Sequence, residues 1–217
     1  MNIKNLPRKI IVRHTLLALM EDRAHHDVSS KILGTQPAVA RIVVRQGGTL
    51  CGLHFAEAAF RLMDPHSIVT LRTQDGRRVK PGQTVLTVRG SAARILSAER
   101  TALNFLQHLS GIATLTAAFV AKTRATKAKI YDTRKTIPGL RAVQKYAVRC
   151  GGGTNHRMNL EEMAMLKENH LKLFPLKEWE KKGVAVKFNV PVEIEAQNKR
   201  ELDQALLLRP DIIMLDN

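Results

Sequence analysis

The sequence predicts an α/β protein in which a small α+β unit is followed by a parallel α/β unit. Up to about residue 90, short apolar runs are separated by turn signals such as Asp75-Gly76 and Pro81-Gly82, a pattern typical of an antiparallel sheet. After Thr126, short apolar runs alternate with helical patterns in a βαβαβαβ order, which indicates a parallel sheet with right-handed crossovers. Aromatic residues make up only 4% of the 217 residues, so the core must be aliphatic and rich in alanine.

The first unit is predicted to contain two helices and a small antiparallel sheet. Apolar residues at helical spacing predict helices over Ile10–Met20 and Phe55–Met63. The strand-like runs are Ala38–Arg45, Thr49–Leu53, Ser67–Thr73 and Thr84–Arg89. We expect Gly47-Gly48 to turn the first of these strands back onto the second.

Two further helices are predicted to link this unit to the rest of the chain. The first runs from Ala92 to about Gln107, and the second runs from about Ala113 to Lys122. Gly111 lies between them and is expected to break the helical pattern, since glycine is unfavourable in helix interiors.

Charged residues follow each predicted strand of the parallel unit. The strands are Ala128–Tyr131, Met163–Leu166, Val190–Ile194 and Ile212–Leu215, and the helices are Leu140–Val148, Leu176–Lys182 and Arg200–Leu208. The charged groups at the strand ends are Asp132 to Lys135, Lys167, Glu195 and Asp216. Barrels of parallel strands carry their active sites at the carboxyl ends of the strands, so we expect a site at this rim.

The chain is strongly basic. Its net charge of +16 fits either a nucleic-acid-binding protein or an enzyme for polyanionic small molecules. The charge distribution favours the enzyme, because the sequence has no block of five or more like charges and no zinc-knuckle, RNA-recognition or basic-zipper signature.

The basic residues concentrate around two turns in the segment 130–157. They are Arg134, Lys135, Arg141, Lys145, Arg149 and Arg157. Pro138-Gly139 forms one of the turns, and the run Gly151 to Gly153 forms the other. Fixed cations at a strand end and beside a glycine turn suit a small ligand that carries several negative charges.

The predicted rim contains charges of both signs. The cations are Arg134, Lys135, Arg157 and Lys167, and they suit a dicarboxylate because arginine binds a carboxylate through two parallel hydrogen bonds. Glu195 and Asp216 suit a ribose or a hydrated Mg²⁺. The alternative is that these two carboxylates only neutralise Lys167 and Arg157.

Long motifs in the chain resemble the quinolinate phosphoribosyltransferase family. They are SAERTALNFLQHLSG at 97–111, DTRKTIPGLR at 132–141, QKYAVRCGGGTNHR at 144–157, KENH at 167–170 and MLDN at 214–217. The resemblance implies an N-terminal α+β sandwich-like domain over residues 1–112, including the linker helix. An open, incomplete α/β barrel of TIM-like type would follow as the catalytic domain over residues 113–217.

The resemblance also implies a reaction. Family members join quinolinate to 5-phosphoribosyl pyrophosphate with Mg²⁺ and release pyrophosphate, CO₂ and nicotinate mononucleotide, a step of NAD biosynthesis. They continue past the MLDN motif with further barrel strands, so we expect the barrel of this chain to be incomplete. Two alternatives stay open: a related phosphoribosyltransferase-like protein with another substrate, and an inactive basic remnant that binds nucleic acid.

The resemblance assigns site residues by motif. The implied substrate-binding residues are Arg100, Thr133, Arg134, Lys135, His156, Arg157, Lys167, Glu195 and Asp216. The implied catalytic residues are Lys135, Lys167, Glu195 and Asp216. Arg100 is expected to reach across a dimer interface into a shared active site, and Glu195 and Asp216 are expected to hold Mg²⁺, directly or through other ligands.

The remaining features fit a cytoplasmic enzyme. No run approaches the roughly 20 apolar residues that cross a bilayer, so no membrane association is expected. Cys51 and Cys150 lie far apart in sequence without metal-ligand spacing, and we expect free thiols in a reducing compartment. No covalent nucleophile is required by the sequence, and Cys150 is expected to be structural.

Overall fold

The computed structural model describes residues 6–173, 175, 178 and 188–216. Within it the chain forms two compact units, Met1–His156 and Arg157–Asn217. The predicted domain boundary between residues 112 and 113 lies inside one continuous helix of the first unit, and it stays a prediction.

The described residues of the unit Met1–His156 form four α-helices, two short 3-10 helices and two small antiparallel sheets. Its elements are α1 (Arg8–Glu21), β1 (Pro37–Val43), β2 (Gly48–Thr49), α2 (Leu53–Met63), β3 (Ile68–Leu71), β4 (Arg78–Val79), β5 (Thr84–Ser91), α3 (Ala92–Thr123) and α4 (Arg141–Cys150). Strands β1, β5 and β3 form one sheet in that order, and β2 pairs with β4 in the other. The predicted helices and strands of this region are therefore present, apart from the differences described below.

The predicted hairpin around Gly47-Gly48 is wrong. β1 pairs with β5 instead, from Pro37 opposite Ser91 to Val43 opposite Thr84. The run predicted as a returning strand is reduced to Gly48–Thr49, and α2 begins at Leu53, directly after Gly52 at φ +108°. Asp75 supports this early start, since its Oδ1 accepts a hydrogen bond from the Leu53 N–H at 3.0 Å.

The core of this unit is aliphatic and rich in alanine, as the composition predicts. Leu86 and Val88 of the sheet are fully buried, together with Ala56 of α2 and Ala98 and Ala102 of α3. Small side chains let α2 and α3 pack closely. The rings of Phe55 and Phe105 stack at a centroid distance of 4.6 Å and join the same two helices.

Helix α3 is continuous, so the predicted break at Gly111 is wrong. A Cβ atom at Gly111 would meet nothing within 4 Å, which places this glycine on an open side of the helix. Leu109 and Ala113 on either side are fully buried, and their packing offsets the roughly 1 kcal/mol that an interior glycine costs.

By length and composition, α3 is also the one helix in the described part of the chain that could cross a membrane. Core helices of folded proteins pass the same test. Two polar side chains of α3 bond to neighbouring segments of the unit: Thr114 Oγ1 accepts from the Thr49 N–H at 2.9 Å, and Ser110 Oγ accepts from the Cys51 N–H at 3.0 Å.

The unit Arg157–Asn217 contains a parallel sheet with helical connections. Its elements are β6 (Ala164–Leu166), α5 (Glu168–Leu173), β7 (Val192–Ala196), α6 (Lys199–Leu208) and β8 (Ile212–Leu215). The strands pair in the order β6-β7-β8, and both pairs are parallel. Asn198 caps α6 by accepting from the Glu201 N–H at 3.0 Å.

Three expectations for the parallel part need comment. The strand predicted over Ala128–Tyr131 is reduced to a single parallel bridge between Tyr131 and Thr154. The strand predicted over Val190–Ile194 begins two residues later, after Pro191, so Glu195 lies inside β7 rather than beyond its end. The helix predicted over Leu176–Lys182 lies outside the described residues, apart from position 178.

Candidate active site

The segment after Tyr131 is anchored by a network around Asp132. Asp132 Oδ1 accepts from Lys145 Nζ and, at 2.9 Å, from the His156 N–H. Asp132 Oδ2 accepts from Asn155 Nδ2 at 2.5 Å. Lys145 Nζ also donates to the His156 carbonyl at 3.0 Å, so helix α4 and the segment 154–156 share one hub.

Lys145 is therefore not a cation available to a ligand. Its side chain is 1% exposed, and that of Asp132 is 8% exposed. A buried ion pair is stable only when its remaining hydrogen-bonding groups are satisfied, and this network supplies those partners. Lys145 instead has a structural role, because it binds Asp132 and the His156 carbonyl and so joins the two segments that carry the other basic residues.

The glycine run closes the same region against helix α3. A Cβ atom at Gly151 would lie 2.4 Å from the Ala113 carbonyl oxygen, and one at Gly153 would lie 2.8 Å from Thr116 Cγ2. Gly152 has a φ of +86°, a backbone angle that residues other than glycine rarely adopt. The three glycines therefore permit a close backbone approach, which brings Asn155 and His156 to Asp132.

The loop after Asp132 presents the residues implied to bind quinolinate. Thr133 and Lys135 are exposed, and the Lys135 N–H donates to Thr133 Oγ1 at 3.0 Å. The Thr136 N–H donates to the Arg134 carbonyl at 3.0 Å, and Arg141 Nε donates to Thr136 Oγ1 at 3.2 Å. These bonds give the loop a fixed shape and join it to the first residue of α4.

Arg134 carries an unsatisfied donor. Its side chain is partly buried, and its Nε has no hydrogen-bond partner in the described structure. A buried donor without a partner costs about 1–3 kcal/mol, which a ligand carboxylate would recover. This arrangement suits the capture of an anion.

Arg100 lies on an exposed face of α3 and lines a cavity of about 380 Å³. Asn104 and His108, one and two turns further along, line the same cavity, as does Leu140. His108 Nε2 lies 3.1 Å from Nε2 of Gln144 on α4. The side chain of Arg100 is therefore exposed to solvent and open to a ligand in the cavity.

Lys167, Glu195 and Asp216 lie at one edge of the parallel sheet in the unit Arg157–Asn217. Leu166 pairs with Ile194, so Lys167 follows β6 beside Glu195, and Asp216 follows β8. Lys167 Nζ donates to Glu195 Oε2 at 2.5 Å, with side-chain exposures of 44% and 8%. Lys167 and Asp216 directly follow their strands, as predicted, whereas Glu195 lies one residue before the end of β7.

Arg157 packs along β6. Its Nη1 donates to the Met163 carbonyl at 2.8 Å, and its Nη2 lies 3.6 Å from Met165 Sδ. The guanidinium is thus held over the same face of the sheet as Lys167 and Glu195, because side chains two residues apart share a face.

The carboxylates do not form a complete metal site by themselves. Among the described residues, no group of three or more His, Cys, Asp or Glu side chains could hold a metal ion. Two carboxylates at neighbouring strand ends match the usual environment of Mg²⁺, which keeps several waters and binds largely through substrate phosphates.

Each unit thus brings together part of the predicted site. Thr133, Arg134, Lys135 and His156 share one loop region of Met1–His156, where Arg100 lines a nearby cavity. Arg157, Lys167, Glu195 and Asp216 share one sheet of the other unit. Sequence reasoning missed the roles of Asp132 and Asn155. The sequence did contain a signal for this network: Asp132 directly follows an apolar run, and Lys145 lies inside the next predicted helix.

Both halves of the chain match models of one family. Residues 27–110 match the quinolinate phosphoribosyl transferase N-terminal domain, and residues 112–217 match its C-terminal domain. The chain belongs to the quinolinate phosphoribosyltransferase family. The predicted fold class, an α+β domain followed by an α/β barrel-like domain, is confirmed by this match and by the solved structure described next.

Relatives of the family align along nearly the whole chain. The carboxylating nicotinate-nucleotide pyrophosphorylase of Mycobacterium leprae is 39% identical over 94% of this chain and 75% of its own length. A probable enzyme of that name from Bacillus subtilis is 37% identical over 99% and 74%. The solved nicotinate-nucleotide pyrophosphorylase of Francisella tularensis is 38% identical, with a TM-score of 0.94, over 100% of this chain and 78% of its own.

Proposed function

We propose that this family member transfers a phosphoribosyl group from 5-phosphoribosyl pyrophosphate to quinolinate with loss of CO₂, giving nicotinate mononucleotide and pyrophosphate. This reaction is a step of NAD biosynthesis. The observation that carries the proposal is the shared edge of Lys167, Glu195 and Asp216 in a chain that matches the family over both its domains. Family membership favours the enzyme over a basic nucleic-acid-binding remnant or a relative with another substrate.

The cations suit the two carboxylates of quinolinate. Arg134 has a buried donor without a partner, and Lys135 is exposed beside it. We assign Arg100, Thr133, His156, Arg157 and Lys167 to substrate binding as well, on the family motifs. A substrate with one carboxylate would leave part of this charge unpaired, which costs binding free energy.

The carboxylates suit the phosphoribosyl group. As the bond from C1 of the ribose to pyrophosphate breaks, positive charge develops on C1 and on the ring oxygen. Glu195 and Asp216 would stabilise that charge electrostatically, and their oxygens can accept from the ribose hydroxyls. Since Lys167 and Glu195 bind each other in the structure, substrate must enter by exchanging this ion pair for contacts to both groups.

The ring nitrogen of quinolinate needs only to be held in line with C1. Its lone pair forms the new bond to C1 as the bond to pyrophosphate breaks. The ring nitrogen is then positively charged, and it stabilises the electron pair left on C2 when the neighbouring carboxylate departs as CO₂. A proton then adds to C2. No covalent enzyme intermediate is needed, in keeping with the assignment of Cys150 as structural.

We assign Mg²⁺ to this reaction as a partner of the pyrophosphate. Glu195 and Asp216 would hold it together with substrate oxygens and water, since two carboxylates are too few for a closed protein site. When bound, the ion neutralises charge on the departing pyrophosphate.

We further propose a homodimer, or a higher homo-oligomer, in which Arg100 enters the active site of the partner subunit. Its exposed position on α3 is compatible with this role. The test mixes Arg100→Ala and Lys167→Met subunits, each of which should have strongly lowered activity alone. Restored activity in the mixture would support a shared site, and a mixture as inactive as its parts would contradict it. We also propose a cytoplasmic location, which fractionation of cells would check.

The experiment that tests the function incubates the folded chain with quinolinate, 5-phosphoribosyl pyrophosphate and Mg²⁺. Nicotinate mononucleotide and CO₂ should form in equal amounts, and both should disappear when Mg²⁺ is chelated. Nicotinate in place of quinolinate is the matched control. Absence of product, or equal use of nicotinate, would contradict the proposal.

A further inference from the structure

The two cysteines of the chain have no role in the reaction described above, yet the fold brings them together. Cys51 and Cys150 lie far apart in the sequence, and both are free thiols. Within the unit Met1–His156, the thiol of Cys51 forms a side-chain hydrogen bond with the sulfur of Cys150. Only a small movement therefore separates the two sulfurs from the S–S bond length of about 2 Å.

Helix α3 anchors the backbones of both cysteines. Ser110 Oγ accepts a hydrogen bond from the Cys51 N–H at 3.0 Å and donates one to the Cys51 carbonyl at 3.1 Å. Gly151 directly follows Cys150, and a Cβ atom at Gly151 would lie 2.4 Å from the Ala113 carbonyl oxygen. Ser110 and Ala113 are three positions apart on α3, so they are neighbours on one side of the helix. The helix thus holds the two cysteine segments next to each other.

Gly76 contacts both cysteine segments as well. Its N–H donates to the carbonyl of Leu50, the residue before Cys51, at 2.7 Å. A Cβ atom at Gly76 would lie 3.4 Å from the Cys150 carbonyl oxygen and 3.8 Å from Cys150 Cα. A disulfide requires Cα atoms about 4.4–6.8 Å apart, and the contacts of Gly76 and α3 are compatible with such a separation.

The two thiols differ in exposure and in ionisation. Cys51 is fully buried, whereas Cys150 is partly exposed. The hydrogen bond from Cys51 lowers the pKa of Cys150. A hydrogen bond with Tyr146 and the charge of Arg149 act in the same direction on this pKa, while burial and the charge of Asp75 partly offset them. Because the thiolate is the form that reacts with oxidants, Cys150 is the thiol that an oxidant should modify first.

We propose that Cys150 is an oxidation site and that Cys51 is its resolving thiol, with a peroxide as the oxidant. The Cys150 thiolate attacks a peroxide oxygen, so that an S–O bond forms, the O–O bond breaks and hydroxide leaves to take up the proton that Cys150 released. The Cys51 sulfur then attacks the sulfenic sulfur of Cys150. The S–S bond forms as the S–O bond breaks, and the proton of Cys51 leaves with the hydroxyl group as water. The two thiols lose two electrons in total, and hydrogen peroxide is reduced to two waters.

The disulfide would protect a crowded position beside the candidate active site. Cys150 is the last residue of α4, and the glycine run Gly151 to Gly153 follows it with a close approach to α3. A sulfinic or sulfonic group on Cys150 would add charge and oxygen atoms there irreversibly, whereas thiols reverse a disulfide. A transient disulfide of this kind is the form in which disulfides usually occur in a reducing compartment.

The test treats the folded parent chain with hydrogen peroxide, blocks the remaining thiols with iodoacetamide in denaturant, and identifies the peptides by mass spectrometry without reduction. The Cys51 and Cys150 peptides should be joined, at a rate that does not depend on protein concentration, and dithiothreitol should restore both thiols. Oxidation of Cys150 to sulfinic acid while Cys51 stays free would overturn the proposal, as would disulfides that form only between chains.

Two matched variants test which thiol has which role. In Cys51→Ala, dimedone should trap sulfenic acid at Cys150, and the fraction of Cys150 that dithiothreitol cannot recover should rise at least about fivefold over the parent chain, because the resolving thiol is gone. In Cys150→Ala, Cys51 should stay free after the same treatment, because it is buried. Equal irreversible loss of Cys150 in Cys51→Ala and the parent chain would overturn the proposal, as would dimedone labelling of Cys51 in Cys150→Ala.

The contacts of residue 51 with Ser110 are made by its backbone, so Cys51→Ala should keep them, and thermal unfolding checks that both variants are folded. The result with the parent chain decides the proposal even where a variant does not fold. None of these measurements uses the activity of the enzyme, so the inference stands or fails separately from the proposed function.

Discussion

The two compact units each contain a lysine bound to a carboxylate, and the two pairs differ in burial. Lys145 and Asp132 in Met1–His156 are 1% and 8% exposed, and further bonds from Asn155 and His156 satisfy the carboxylate. Lys167 and Glu195 in Arg157–Asn217 are 44% and 8% exposed. The buried pair can only support the fold, whereas the open pair can exchange its partner for a ligand.

The largest effect should come from breaking the buried pair. Lys145→Met leaves the Asp132 carboxylate buried without its cation, and we expect a loss of about 3–5 kcal/mol in the free energy of unfolding. Chemical denaturation measures it. The double variant Lys145→Met with Asp132→Asn is the control and should recover part of the loss. A stability close to that of the parent chain would show that the pair is not structural.

Breaking the open pair should affect activity more than stability. Lys167→Met should lower kcat/KM about a hundredfold, or about 2.7 kcal/mol, because a cation at the substrate is lost. The free energy of unfolding should fall by less than in Lys145→Met, since Lys167 is 44% exposed and water can take its place at Glu195. Steady-state kinetics and denaturation of one sample measure both. Full activity in the variant would place Lys167 outside the site.

The two thiols of Met1–His156 extend the comparison to another neighbouring pair. A hydrogen bond from Cys51 lowers the pKa of Cys150, while the bond to Cys150 and burial raise the pKa of Cys51. A lowered pKa gives more thiolate at a given pH, so iodoacetamide should modify Cys150 from a lower pH than Cys51 and at least about tenfold faster. Mass spectrometry of the modified peptides checks this. Faster modification of Cys51 would contradict the lower pKa of Cys150.

The smallest effect should come from an exposed pair. Lys172 and Glu168 on α5 are 68% and 46% exposed, and the Lys172 hydrogen bond and charge lower the pKa of Glu168. A lowered carboxyl pKa contributes stability above the ordinary pKa, and this contribution is lost as the pH falls through the lowered value. Lys172→Met should leave kcat/KM within about twofold and weaken that small pH dependence of unfolding, while the hydrogen bond from Gln197 still lowers the pKa of Glu168. A large loss of activity would contradict the expectation that the effect of breaking an ion pair falls as its exposure rises.

Local patterns predicted most of the helices but not the strand pairing. The apolar spacing of Ile10–Met20 and of Leu140–Val148 gave α1 and α4 nearly to their ends. The partner of β1 is β5, some 45 residues away along the chain, and only long-range packing selects it. The continuity of α3 through Gly111 has the same origin, because tertiary contacts outweigh local propensity.

The site positions were predictable because charges interrupt apolar strands. Lys167 and Asp216 directly follow β6 and β8, and this pattern is visible in the sequence. The part played by Lys145 was not visible, since its partner Asp132 lies in another segment and the burial of both depends on the glycine run.

The central claim is that this chain binds quinolinate through its cations. The most direct measurement is calorimetric titration of the folded chain with quinolinate at physiological salt, with nicotinate as the control ligand. We expect saturable binding that prefers quinolinate and is lost in Arg134→Ala, whose Nε has no hydrogen-bond partner in the described structure. No binding by a folded sample, or equal binding of nicotinate, would contradict the claim.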